Sequence, residues 1–346
     1  MNYLASNNLE NNNKNQMFQT NISNQSVPSS IQYNKLDVMT DAKLEDKIVD
    51  VYEDNFIKEI KRIGKYLRQY PYVGMDTEFP GVVYPCLTND LDFYYQFVKE
   101  NVDKLKLIQL GITLTNSKGE QPSNTSTWQF NLRFDCDKDE HSNESINLLI
   151  NSGINFNKLK REGIPHRLFA EYLTVSGLVL NEAIIWISFN GLSDFAYLLK
   201  LLIGEYLPNT SEEFQELMKI YFPNTYDIKH LINENELYKG GLNKIAKELN
   251  IERKGEVHQA GSDSLITIRL FFTLIENNTI NKFDLNNEKD ILYGIGEGAD
   301  DNETILYTKF APGIDISNIL NNISQDINIK GFNNKNSNNN IDIHPK

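Results

Sequence analysis

Apolar positions along the chain change period several times, and each change marks an element. Val51, Phe56, Ile60, Ile63 and Leu67 recur at helical spacing with charged residues between them, which predicts an amphipathic helix. Pro71 ends it, and residues 72–79 follow as a strand with an apolar lead-in, closed by Pro80-Gly81. Residues 105–114 form a largely apolar strand, and 127–134 alternate as a half-buried one. Asn116-Ser117-Lys118-Gly119 begins the turn region between them. Three consecutive strands with a short polar connection between the last two predict an antiparallel meander. Helical patterns then cover 145–151, 156–161 and 166–175, and residues 184–188 read as a short buried strand. Phe195, Leu198, Leu199 and Leu202 fall at i, i+3, i+4 and i+7, the apolar face of another helix. Residues 226–228 read as one more strand, 240–249 as a helix opened by two glycines, and 262–275 as the last strong helix. Strands first, then helices alternating with short buried strands, predict an α/β domain with a mixed sheet.

Composition sets the limits of that domain. The first 40 residues are rich in Asn, Ser and Gln, and the far end of the chain is again Asn-rich. Such stretches bury too little apolar surface to offset their ordering entropy. The expected organisation is a disordered tail over 1–40, one domain over 41–298, and a variable, largely disordered tail over 299–346. Mean hydropathy is −0.45, and no apolar run approaches the length of a membrane span. The start, Met1-Asn2-Tyr3-Leu4, lacks the basic and apolar regions of a secretory signal. The two cysteines, Cys86 and Cys136, form neither a metal-type spacing nor a disulfide framework. A reducing compartment, cytosol or nucleus, is expected. A net charge of −13 argues against a broad basic face that grips nucleic acid. It leaves room for an enzyme that meets phosphate through bound cations, since carboxylates that hold them add to the negative count.

The chemistry begins in the strand over 72–79. Asp76 and Glu78 stand two apart, so on an extended backbone they point to one face. Two carboxylates there repel each other, and a divalent metal, a shared proton or an arginine would each relieve it. Two more acids answer them. Asp194 lies in the first turn of the helix after strand 184–188, and Asp263 at the start of the last strong helix. An Asp in a helix's first turn is favoured by the dipole alone. Four carboxylates at element ends, where a sheet gathers a site, instead suit Mg²⁺ or Mn²⁺. His258 precedes Asp263 by five residues and approaches the same helix start. There it can accept a proton from an attacking water. His141, His166, His230 and His344 read as exposed or partly buried spectators.

The order Asp-x-Glu, Asp, His-x4-Asp resembles that of the DEDDh exonucleases. The runs MDTEFPGVV, KLIQLGIT, TSTWQFN, YFPNTYDIKHL, GGLNKIAKEL, HQAGSDSLIT and LYGIG resemble the Pop/Caf-type poly(A)-specific ribonuclease, the catalytic subunit of the Ccr–Not deadenylase complex. The resemblance covers roughly residues 50–296. It implies a ribonuclease-H-like mixed sheet flanked by helices. It also implies a 3′-to-5′ exoribonuclease that shortens messenger RNA poly(A) tails and releases 5′-AMP in cytoplasm and nucleus. Metal ligation of two divalent cations, Mg²⁺ or Mn²⁺, carries over to Asp76, Glu78, Asp194 and Asp263, and general-base work to His258. The implied partners are poly(A) RNA, the Not scaffold subunit and a second deadenylase, with no membrane. Phe79, just past the acidic pair, reads either as a platform for the terminal nucleotide or as a strand-end core residue.

Two stretches depart from the pattern. Where the family has a His-Ser-Gly-Tyr-like run before its aspartate, this chain has Asn190-Gly191-Leu192-Ser193. The segment Tyr84-Pro85-Cys86-Leu87 also diverges. A DEDD exonuclease acting on other single-stranded nucleic acid, and a weakly active scaffold subunit of the same complex, are the competing readings.

Overall fold

The computed structural model describes residues 48–85, 92–233, 235–281, 285 and 287–295. Both expected tails, the ends of the expected domain at 41 and 298, Cys86 and His344 lie outside the described residues. No helix of the described residues is long and apolar enough to cross a membrane.

A six-stranded sheet organises these residues, in the order β1-β4-β3-β2-β5-β6. The strands are β1 (Ile48–Val51), β2 (Tyr72–Glu78), β3 (Gln109–Thr115), β4 (Thr127–Asn131), β5 (Ile185–Ser188) and β6 (Thr225–Asp227). Only β3 runs against the rest, pairing antiparallel with β2 and β4, while β2, β5 and β6 are mutually parallel and β1 lies parallel to β4. The run β4-β3-β2-β5-β6 is a ribonuclease-H-like mixed sheet, and the expected meander is its first half.

Helices cover both faces. On one side lie α1 (Glu53–Tyr66), α2 (Phe93–Val102), α5 (His166–Val175) and α6 (Leu192–Ile203). Their apolar residues join Val73, Met75, Leu110, Ile112 and Trp128 of the sheet in the main core. On the other side α10 (Ala260–Glu276) lies across β2, β3 and β4. Two glycines allow that close approach. A Cβ on Gly111 would sit 1.8 Å from the Ala260 carbonyl oxygen, and one on Gly74 would sit 2.6 Å from Ile268 Cβ. Alongside α10 lie α8 (Ile228–Leu231) and α9 (Leu242–Glu248). The helices α3 (Asn143–Asn151) and α4 (Phe156–Glu162) close a small third cluster around Phe134, and α7 (Ser211–Tyr221) packs on α6.

Three features differ from the sequence-based expectation. Val51, placed on the first helical stripe, is the buried last residue of β1, and α1 begins two residues later. Four residues are too few for alternation to separate strand from helix. A helix, α2, interrupts the chain between β2 and β3, although the two strands still pair. The helix α7 has its signal in Thr210, whose hydroxyl caps the Glu213 N–H.

Candidate active site

The alternation of β2 separates its two faces. Val73 and Met75 enter the main core, whereas Gly74 lies against α10. Asp76 and Glu78 share the parity of Gly74 and therefore the α10 face. Glu78 is only 9% exposed, and the start of α10 meets it there. Ligand atoms of Glu78, His258 and Asp263 all lie within 4.8 Å of one another. Asp76 stands next to this group on the strand and outside that 4.8 Å set.

Asp194 arrives from the opposite face. It occupies the first turn of α6, 2% exposed. Its Oδ1 accepts the Thr77 backbone N–H at 3.0 Å and the Thr77 hydroxyl at 2.5 Å. The reason is local. β5 pairs with β2 from Tyr72↔Ile185 to Gly74↔Ile187 and ends at Ser188, so the N–H of Thr77 has no β5 residue opposite it. Asp194 supplies the missing acceptor. The residue between Asp76 and Glu78 thus ties the third acid to the strand, and no described residue bonds Asp194 Oδ2.

The turn before α6 is held by a residue that sequence reasoning missed. Asp227, fully buried at the end of β6, accepts the N–H groups of Asn190 at 2.7 Å, Gly191 at 2.9 Å, Lys229 at 3.0 Å and Tyr293 at 3.1 Å. Burial pushes its carboxyl above the ordinary range, against the pull of these donors. Asn190 has φ +58°, a left-handed conformation that Asn tolerates. In the divergent run itself, Leu192 and Ser193 are buried.

A second missed group fixes the start of α10. Gln259 occupies the N-cap position and offers no side-chain cap. The exposed donors of that helix end are satisfied from the sheet instead. Gln109 Oε1 accepts the Ala260 N–H at 3.3 Å, and Gln129 Oε1 accepts the Gly261 N–H at 3.0 Å. Both glutamines also donate to Gln259 Oε1, at 3.3 and 2.8 Å. Gln129 donates further to Asp50 Oδ1 at 2.9 Å, and Gln259 to the Ser152 carbonyl at 2.7 Å. His258, at φ +61°, donates its backbone N–H to Asp263 Oδ2 at 3.0 Å. The base candidate and the fourth acid are therefore one hydrogen-bonded unit.

The remaining candidates fall into place around these. Phe79 is half-buried and stacks on Tyr197, centroids 5.1 Å apart and planes 23° apart. It is packed against the main core, next to Glu78 in sequence. His141 bonds the Asp139 carbonyl, His230 pairs with Glu288, and His166 bonds the Leu107 carbonyl. Burial holds the His166 imidazole below its usual range. Cys136 is a free thiol, raised by burial. The four carboxylates are the oxygen donors that hard divalent cations take, so the acids present fit such ions, and the imidazole beside them is left for proton transfer.

Fold and site together define a ribonuclease-H-like nuclease. The sequence pattern of the CAF1 family ribonuclease matches residues 51–176 and 169–271, and the chain belongs to that family. It is 45% identical over 230 residues to the poly(A) ribonuclease pop2 of Schizosaccharomyces pombe, covering 66% of this chain and 69% of that protein. Among solved structures it resembles S. pombe Pop2p in its Mg²⁺- and Mn²⁺-bound form, with a TM-score of 0.68 and 42% identity over 72% of this chain and 99% of that one. It also resembles CAF1 from yeast, co-crystallized with the NOT1 MIF4G domain, with a TM-score of 0.61 and 31% identity over 71% and 96% of the two chains.

Proposed function

We propose that this protein is a 3′-to-5′ exoribonuclease that shortens poly(A) tails, releasing 5′-AMP, and that it works as the catalytic subunit of a Ccr–Not complex. The observation that carries the reading is the convergence of Glu78, His258 and Asp263 within 4.8 Å. Asp76 lies on the same strand face, and Asp194 is clamped to Thr77 between them. The kinship to pop2 supports poly(A) as substrate, and the yeast CAF1 complex supports a NOT1-type scaffold as partner.

Asp76, Glu78, Asp194 and Asp263 would hold two divalent cations, Mg²⁺ or Mn²⁺ as in S. pombe Pop2p. When bound, the cations lower the pKa of the attacking water and stabilise charge on the leaving 3′ oxygen. The protein's own part is positional. Thr77 orients Asp194, the His258 N–H orients Asp263, and the His258 ring accepts the proton of the attacking water. Phe79, next to Glu78 in sequence and stacked on Tyr197, is the aromatic candidate for packing against the terminal base.

The test is purified protein on end-labelled poly(A) and on mixed-sequence RNA, with Mg²⁺, Mn²⁺ or EDTA. Stepwise shortening from the 3′ end is expected with either metal and none with EDTA. Asp76→Asn is expected to stay folded and nearly inactive, because Asn keeps the shape and loses the charge. Wild-type turnover by Asp76→Asn defeats the assignment. Shortening of both RNAs at equal rates moves it to the broader exonuclease reading, for which the Asn190–Ser193 run is the structural motive.

A further inference from the structure

Asp263 carries a counter-charge that no part of the scheme above uses. Arg253 lies in the loop between α9 and α10. Its Nη2 donates to Asp263 Oδ1 at 2.7 Å and also to Asn243, while Nη1 donates to Ser262 Oγ at 2.6 Å. The Asp263 side chain is 6% exposed and that of Arg253 19%, so solvent screens this pair far less than a surface one. The other oxygen, Oδ2, is taken by the His258 N–H. Glu78 brings a second carboxylate into the same 4.8 Å neighbourhood, and two like charges that close repel each other. A fixed cation on the Asp263 side relieves that repulsion, and a divalent ion on the same carboxylates relieves it again. Two cations at one carboxylate repel each other.

We propose that the Arg253 guanidinium stands in for part of the metal charge at Asp263, so that arginine and metal oppose one another there. Arg253 keeps the acids together before metal binds and weakens the metal's hold afterwards. The inference rests on the metal reading of Asp263. It differs from a purely orienting role, in which loss of the arginine would weaken metal binding.

The experiment is thermal unfolding of the full chain, stripped with EDTA or saturated with Mn²⁺, for wild type, Arg253→Met and Arg253→Lys. A hollow of about 570 Å³ lined by Arg253, Asn243, Lys247 and Val257 adjoins the guanidinium, so a shorter apolar side chain creates no sealed void. Stripped Arg253→Met is expected to melt below the wild type. Mn²⁺ should then raise its melting temperature by about 2–4 °C more than it raises that of the wild type, or by a larger margin. Arg253→Lys, which keeps the charge, should follow the wild type in both states. A gain in Arg253→Met equal to or smaller than the wild-type gain overturns the inference, as does Arg253→Lys behaving like Arg253→Met. A wild type that gains nothing from Mn²⁺ overturns the metal reading itself.

Discussion

His258 joins three features of the candidate site in one residue. Its backbone is left-handed at φ +61°, its N–H is bound to Asp263, and one ring nitrogen lies within 4.8 Å of a Glu78 carboxylate oxygen. Alanine is no easier to hold in the left-handed region than histidine, so His258→Ala removes the ring without relaxing the loop. If the ring is the base, the rate should fall by about 10²–10⁴-fold, with Mn²⁺ affinity nearly unchanged because the carboxylates remain. The residual activity should rise with pH, since hydroxide needs no base. Turnover against pH, together with Mn²⁺ titration, checks this. An unchanged rate at neutral pH would remove His258 from the mechanism. The types and order of Asp76, Glu78, Asp194, His258 and Asp263 were legible in the sequence. Asp227 was not, because nothing near it in sequence announces a buried carboxylate that gathers amides from residues 190, 191, 229 and 293.

Among the elements, α10 has the most unusual support. Helix starts usually take their caps from the residues just before them. Here the caps come from Gln109 and Gln129, on strands more than 130 residues earlier in the chain. Gln129→Leu would leave the Gly261 N–H without its acceptor and remove a donor from both Asp50 and Gln259. Stability should drop by about 1–3 kcal/mol, the cost of unpaired buried polar groups, as read from the urea midpoint. Activity should fall as well, because the loosened turn carries Asp263. A Gln129→Leu protein as stable as the wild type would show that the amide network is not what seats the helix. The helix itself was readable from its apolar period. Its seat on Gly74 and Gly111 was not, since a strand glycine alone does not say which backbone approaches it.

At the scale of the whole molecule, the site forms where two helices from opposite faces of one sheet reach the same strand end. α6 delivers Asp194 past the end of β5, and α10 with the turn before it delivers Asp263 and His258 across β3. All of these residues, and every element of the sheet, fall between residues 48 and 276. A chain cut to residues 41–298 is therefore expected to fold and keep most of its nuclease activity. Its melting temperature and its rate on poly(A), measured beside the full chain, test this. Loss of folding in the shortened chain would assign the tails a structural part.

The sequence by itself determined the α/β class, most elements, the acids and their order. Apolar periodicity and residue chemistry are local properties, and each survives being read along a line. Tertiary structure alone decided that Asp76 and Glu78 look toward α10 while Thr77 looks toward Asp194. It also decided that Glu78, His258 and Asp263 close into one group, and that Arg253 rather than a solvent-facing charge meets Asp263. The short β1 and the amide network around Gln259 belong to the same category. Strand order, register and the face a helix covers depend on contacts between residues far apart in the chain. No local pattern encodes those contacts, because their energy exists only once the sheet has brought the partners together.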